Sequence, residues 1–344
     1  MKCLIIGDKG IPEKYFLEKM KYLEQYGIEF RCVNLDKSMD DALFYAYLRK
    51  IERDGPEGIR INEEILKEIK DAEIIAIHWA PVNKELLENA EKLKIIGLSR
   101  AGFENINLDV AKKKSLWVVN APGRNKEAVA DHAITLFLSA RRKIPYLHTN
   151  ILKGEWVSYY PEKDLQNMTA GIIGFGNIGR ETAKLLKGLR LKVLAYDPFV
   201  DESVMEDLEV IKVSLDMLLE ESDAIFVHAR ASEENKHMID MASFKKMKKR
   251  PVFINNARAM LVDTEALIMA LKNNLISAAG IDVFDEEPLP KDSPLLMFDN
   301  VVLTPHCSNT IESLMYNGPA IIAREIESIL KNNTANFAIL KPSH

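Results

Sequence analysis

Short apolar runs alternate with helical patterns along almost the whole chain, which is the pattern of a parallel sheet flanked by helices. Cys3–Ile6 is the first strand-like run, and it leads to a helix opening near Pro12, a residue suited to a first turn. Ile74–Ile77 and Leu93–Leu98 are further strands around the helical stretch Lys84–Glu91. Trp117–Asn120 is another, stopped by Ala121-Pro122-Gly123. Lys126–Arg142 then reads as a long amphipathic helix with Val129, Ala133, Leu136 and Ala140 on one face. A second series supplies Gly171–Gly174, Lys192–Tyr196, Ala224–His228, Val252–Asn255, Ala278–Asp282 and Val301–Thr304 as strands. Helices Glu181–Leu189 and Asp263–Lys272 sit among them.

The pattern divides near residue 120 into two α/β units. Asp36 to Ile61 carries few strand signals and reads as helix and loop inserted in the first. Asn309–Leu330 is a helical pattern beyond the last strand of the second series, placed to return to the first domain and leave a ligand cleft between the two.

Composition narrows the partners more than the fold. The 344 residues are 47% hydrophobic and 28% charged, an ordinary balance for two cores. A net charge of −5 attracts no nucleic-acid backbone. The basic run Lys245, Lys246, Lys248, Lys249, Arg250 reads as a solvated helix end before Pro251. Cys3, Cys32 and Cys307 are widely spaced with no Cys-x-x-Cys pair, so their spacing predicts neither a disulfide framework nor a zinc site. No apolar stretch has the length of a membrane span, and the N-terminal one is a strand, not a signal peptide. The expectation is a cytoplasmic protein without metal, membrane or nucleic-acid partner.

The chemistry begins at Gly171-Ile-Ile-Gly174-Phe-Gly176-Asn177-Ile178-Gly179-Arg180. Gly174 permits a tight turn, Gly176 lets the backbone approach a pyrophosphate, and Gly179 allows close helix–strand packing. The helix from Asn177 would point its amides and dipole at phosphates. A glycine triplet alone is weak, but this one follows an apolar strand, opens a helix, and precedes a strand ending in Asp197. A carboxylate there accepts from ribose hydroxyls and repels a 2′-phosphate, and Pro198 and Phe199 offer that phosphate no cation. NAD is the expected cofactor.

Three residues each follow a strand of the second series: Arg258 after Val252–Asn255, Glu287 after Ala278–Asp282, and His306 after Val301–Thr304. Strand carboxyl ends are where such sheets gather ligands. Together the three supply what alcohol oxidation requires, a base for the hydroxyl proton and a cation to fix and polarise the oxygen.

With these motifs in this order, nearly the whole chain resembles the D-isomer-specific 2-hydroxyacid dehydrogenases, the family of phosphoglycerate, glycerate and D-lactate dehydrogenases. The resemblance implies His306 as acid/base, Glu287 holding it and favouring the imidazolium, and Arg258 gripping the carboxylate and carbonyl oxygen. It implies that Asp282 meets the nicotinamide carboxamide, and that Asn256, Ala257 and the backbone after His306, at Ser308, touch the cofactor. His228-Ala229-Arg230 matches the loop near the adenosine half, with Arg230 where most relatives have Pro. Ser99-Arg100-Ala101-Gly102-Phe103-Glu104-Asn105 replaces the loop whose amides hold the substrate carboxylate and is about two residues shorter than the usual form.

His78, Trp79, Arg100 and Arg124 are the residues expected to border the cleft and read a polar tail, such as a sugar acid or a phosphorylated chain. The implied fold is two doubly wound parallel-sheet domains. A Rossmann cofactor domain, 121–306, is inserted in a flavodoxin-like substrate domain, 1–120 and 307–344. A homodimer through the cofactor domain is implied, by way of Lys126–Arg142 and Lys143–Asp164, with no regulatory domain after Leu330. The competing readings are an NAD-sensing corepressor on the same fold, and phosphite oxidation. Formate oxidation is disfavoured because formate dehydrogenases of this fold carry Gln in the place of Glu287.

Overall fold

The computed structural model describes residues 1–35 and 39–342. It falls into two compact units, Met1–Asn125 with the segment from Thr310, and Lys126–Asn309, each built on its own parallel sheet.

In the first unit β1 (Lys2–Gly7), β2 (Glu29–Asn34), β3 (Ile74–Ile77), β4 (Ile95–Leu98) and β5 (Trp117–Val119) are parallel. The strand Ala338–Leu340 returns antiparallel beside β5. The order from that edge is Ala338–Leu340, β5, β4, β3, β1, β2, so the winding reverses between β1 and β3. Every residue of β3 and β4 is buried, as strands covered on both faces require. Ile65, Ile69, Leu86 and Leu87 cover one face, and Phe16, Met20, Ile322 and Ile326 the other. Gly97 lets the last two approach, since a Cβ there would lie 3.3 Å from both. The inserted segment holds the helix Asp41–Asp54, capped by Asp40 accepting from the Leu43 amide at 2.8 Å. It seats Phe44 and Ile51 against Trp79. Asp36, Lys37 and Ser38, at the start of that expected insertion, lie outside the described residues.

The second unit carries β6 (Thr169–Ile173), β7 (Lys192–Tyr196), β8 (Ile211–Lys212), β9 (Ala224–Val227), β10 (Val252–Asn255), β11 (Ala278–Ile281) and β12 (Val301–Leu303). Their order is β12-β11-β10-β9-β6-β7-β8, with the reversal between β6 and β9. The helix Lys126–Arg141 lies on one face, its Phe137 ring edge-on to Phe226. Gly280 admits Leu136 where a Cβ would come within 2.8 Å. Phe244, Phe253, Leu267 and Leu271 fill the opposite face.

This is the expected α/β class, with the second sheet in Rossmann order and the first in flavodoxin-like order. β2, β8 and Ala338–Leu340 were not anticipated; the first two are edge strands and the third is a short antiparallel addition. The unit boundaries fall after Asn125 and Asn309, where the sequence suggested 120 and 306. The cause of the first difference is local. Arg124 donates to the carbonyls of Ser99 and Leu314, and its own carbonyl accepts from Asn317, which ties 121–125 to the first unit. Among the described residues no helix is long and apolar enough to cross a membrane.

Candidate functional site

At the reversal point of the second sheet the side chains withdraw. Gly174 has φ +94 and packs so closely on His228-Ala229 that any Cβ would strike the Ala229 amide. A Cβ at Gly179 would strike the Gly174 carbonyl, so helix and loop close to backbone contact. Gly176, the N-cap of the helix Asn177–Gly188, makes no side-chain cap and would meet nothing within 4 Å if it had a Cβ. The first amides of that helix, including those of Asn177 and Ile178, are therefore offered bare on an open side. Asp197 follows β7 and accepts from the Phe175 and Phe199 amides at 2.8 and 2.9 Å, with lone pairs to spare for hydroxyl donors.

His228 sets its Nε2 2.9 Å from Thr182 Oγ1, while its buried Nδ1 makes no hydrogen bond. The residue keeps some surface, but its Nδ1 is enclosed, and burial pushes the ring down to about 4. Arg230 is exposed. Asn256 donates to the Val129 carbonyl (2.9 Å) and to Ser308 Oγ (3.2 Å), leaving its buried Oδ1 without a donor. A glycine cradle, an orphaned buried amide oxygen and a carboxylate after β7 fit a dinucleotide.

Asp282, which has no exposed surface, fastens the next loop. Its Oδ1 accepts from Thr304 Oγ1 (2.6 Å) and the Cys307 amide (3.0 Å); its Oδ2 accepts from Ser308 Oγ (2.6 Å) and the Ser308 amide (3.2 Å). Protein donors thus hold both oxygens of the carboxylate expected to meet a carboxamide. Burial alone would raise this carboxyl, but hydrogen bonds from His132, Ser308, Thr304 and the Cys307 amide hold it far below the carboxylate range. The clamp matters because His306 sits in the left-handed region at φ +52, a conformation costing about 1 kcal/mol that its surroundings must hold.

His306 Nδ1 lies 2.9 and 3.1 Å from the two oxygens of Glu287, and Glu287 Oε1 also accepts from the Phe284 amide at 3.1 Å. Burial raises the Glu287 carboxyl, but those two hydrogen bonds outweigh it and keep it below its usual value. The structure thus brings Glu287 and His306 together. Arg258 is exposed and donates to the carbonyl of its neighbour Ala257 at 2.7 Å, touching neither of them.

At the reversal point of the first sheet the side chains crowd in. Asp8 follows β1 and is buried, accepting from the Ile11 amide (2.8 Å), the Trp79 amide (2.8 Å) and His78 Nδ1 (3.1 Å). Arg124 Nη1 lies 3.4 Å from His78 Nε2. A guanidinium can only donate, so Nε2 is the accepting nitrogen and Nδ1 carries the proton toward Asp8. Burial lowers His78 despite the carboxylate, so the ring is neutral near pH 7 and the pair is a hydrogen bond, not an ion pair. Burial and then Arg100 push Arg124 down to about 10. The Arg100 guanidinium lies over the Trp79 ring at 3.4 Å, with Glu104 Oε2 at 3.1 Å and Glu52 Oε1 at 4.0 Å. Ala101 is exposed, and its carbonyl accepts from Asn120 at 2.6 Å. Gly102 has its open side filled by the Glu104 carboxylate, where a Cβ would collide.

Sequence reasoning missed Asp8, His132, Thr304, Glu52 and Glu104 as members of these clusters. Asp8 and Thr304 had a usable signal, a polar residue at or just past a strand's carboxyl end. Glu104 had one as well, its i,i+4 spacing from Arg100, whereas His132 and Glu52 had none, because distant segments bring their partners.

The sequence profile described as "D-isomer specific 2-hydroxyacid dehydrogenase, NAD binding domain" matches residues 134–308. The chain is 37% identical over 310 residues to a D-3-phosphoglycerate dehydrogenase of Archaeoglobus fulgidus, covering 88% of this chain and 59% of that one. To a glyoxylate reductase of Thermococcus litoralis it is 34% identical over 318 residues, covering 89% and 94%. Among solved structures, D-lactate dehydrogenase with NAD+ from Lactobacillus jensenii superposes with a TM-score of 0.76 at 26% identity, covering 99% and 100%. The chain belongs to the D-isomer-specific 2-hydroxyacid dehydrogenase family. It spans 59% and 54% of the lengths of two phosphoglycerate dehydrogenases it matches, those of A. fulgidus and Methanocaldococcus jannaschii.

Proposed function

We propose that the protein interconverts a small D-2-hydroxy acid and its 2-oxo acid, with NAD as redox partner. The His306–Glu287 pair carries this reading. Both carboxylate oxygens lie within 3.1 Å of Nδ1, which fixes the ring and leaves Nε2 to serve a substrate oxygen. In reduction Nε2 hands a proton to the carbonyl oxygen, and in oxidation it takes the hydroxyl proton back. Arg258 presents a planar fork to the two oxygens of a 2-oxo acid. A bound nicotinamide supplies or receives the hydride. Gly174, Gly176 and Gly179 admit the pyrophosphate to bare amides, and Asp197 with Pro198 and Phe199 favours NAD over NADP.

Arg100 with Trp79 reads the tail of the acid. Its charge is already met by Glu104 and approached by Glu52, which favours a short, uncharged polar tail over a phosphorylated one. That choice accords with relatives named glyoxylate reductase and hydroxypyruvate reductase. Two copies associate through Ile144, Ile151, Leu152, Trp156 and Tyr160, large apolar side chains left exposed on the second unit, Trp156 by 88%.

The test is a panel of glyoxylate, hydroxypyruvate, pyruvate and phosphohydroxypyruvate with NADH and NADPH. Reduction with NADH and a kcat lowered about 10²- to 10⁴-fold by His306→Ala are expected. Bound NADH with no acid reduced would overturn the enzymatic reading.

A further inference from the structure

The spacing of the cysteines predicts no metal site, yet the fold gathers three potential ligands from distant segments. His132 comes from the helix Lys126–Arg141, Asp282 follows β11, and Cys307 follows β12. Their ligating atoms, an imidazole nitrogen, a carboxylate oxygen and a thiol sulfur, all lie within 4.8 Å of one another. We propose that His132, Asp282 and Cys307 bind a thiophilic divalent cation of the Zn²⁺ type, and that its binding restrains the loop carrying His306.

The spacing supports a shared ion. His132 Nε2 and Asp282 Oδ1 are 3.5 Å apart. Two ligands with bonds of about 2.0–2.2 Å to one tetrahedral zinc stand about 3.4 Å apart. Thr304 Oγ1 already bridges the same two atoms, 3.0 Å from the first and 2.6 Å from the second, and a cation takes over that bridge. On the far side, Ser308 Oγ and its amide hold Oδ2, so the carboxylate is oriented before any ion arrives. Sulfur and imidazole select zinc over magnesium or calcium, and a fourth position stays open to water. Binding exchanges the Cys307 thiol proton for the cation, and that proton leaves to solvent. Because Asp282 also holds the Cys307 and Ser308 amides, the ion ties both flanks of residues 307 and 308 to one point, immediately beside His306.

Metal binding here does not depend on the proposed activity, whereas the restraint on turnover does. The reduced, chelator-stripped protein is therefore titrated first with Co²⁺ and then with Zn²⁺ against a chromogenic chelator, with no substrate present. A thiolate-to-cobalt charge-transfer band and one ion per chain are expected. Cys307→Ser removes the band, His132→Gln weakens binding by at least about tenfold, and Cys32→Ser changes neither. Absence of the band, or its persistence in Cys307→Ser, overturns the site. With the acid found active in the panel, Zn²⁺ should slow the wild type reversibly and spare Cys307→Ser. A band without that slowing would overturn the restraint and leave the site standing.

Discussion

Both sheets reverse their winding once, and the two reversal points have been furnished in opposite ways. In the second unit, glycines strip the loop after β6 to backbone, and the open side of Gly176 faces nothing within 4 Å. In the first, Gly10 serves the reverse purpose. Its missing Cβ makes room for the His78 ring, 2.8 Å away, and that ring fills the space with the Asp8, Arg124, Arg100 and Trp79 cluster. One topology therefore presents amides to a ligand that brings its own negative charge, while the other presents side chains whose charges are mutually arranged. The general rule that ligands collect at a reversal point makes both places candidate sites. The residues at each decide what kind of ligand it takes.

The contrast breaks most readily at Gly179. Gly179→Ala puts a methyl against the Gly174 carbonyl, a backbone atom that cannot swing aside. Overpacking there costs about 1–3 kcal/mol, and relieving it by displacing the Gly174 loop should weaken NADH binding by up to roughly 100-fold. Isothermal titration should show that loss with the Asp8–His78 cluster undisturbed, and unimpaired NADH binding would refute the bare-backbone reading.

In the first unit the comparable break is Asp8→Ala. It removes the acceptor of two buried amides and of His78, and a buried network that loses one partner costs about 3 kcal/mol. The urea midpoint should fall accordingly, while a change under 1 kcal/mol would mean that water replaces the carboxylate.

These two sites were unequally legible. The glycine fingerprint announced itself because backbone approach demands particular residues at particular offsets, and Asp197 could be found by counting forward from it. Glu287 and His306 were each legible as residues after a strand's carboxyl end, but that they pair came only from the family resemblance, since nothing in residues 287 and 306 alone says they meet. The first unit's cluster was half visible: His78, Trp79, Arg100 and Arg124 were expected at the border of a cleft on the implied architecture. Asp8 was overlooked although it follows β1 directly. Glu52 could not have been assigned to Arg100, because its helix belongs to an insertion with no register against the sheet. β2, with residues such as Glu29, Arg31 and Cys32 turned outward, lacked the apolar run by which its neighbours were found.

Acid should separate the units more gently. His228 titrates near 4 in the folded protein against 6.5 unfolded, so the folded state binds fewer protons between those values. The stability conferred by its neutral ring is complete above about pH 6.5 and is lost as pH falls toward 4, amounting to up to about 2 kcal/mol at pH 5. His228→Gln should flatten the fall in urea midpoint between pH 7 and 5. An unchanged slope would show that the enclosed Nδ1 does not oppose protonation.

The smallest effect asks whether Arg100 acts as a flat cation or only as a charge. Arg100→Lys keeps the charge beside Glu104 but gives up the planar stack on Trp79, worth about 0.5–1 kcal/mol. For an acid with an uncharged tail this is a two- to five-fold rise in KM by the usual conversion, roughly, with kcat unaltered. Glu104→Gln should act in the opposite sense on a phosphorylated acid. It frees a guanidinium now engaged at 3.1 Å, so kcat/KM for the phosphorylated acid should gain on that for the uncharged one. If instead both ratios stay fixed, the first unit's charges hold only each other, and its reversal point, unlike the second, is closed to ligands.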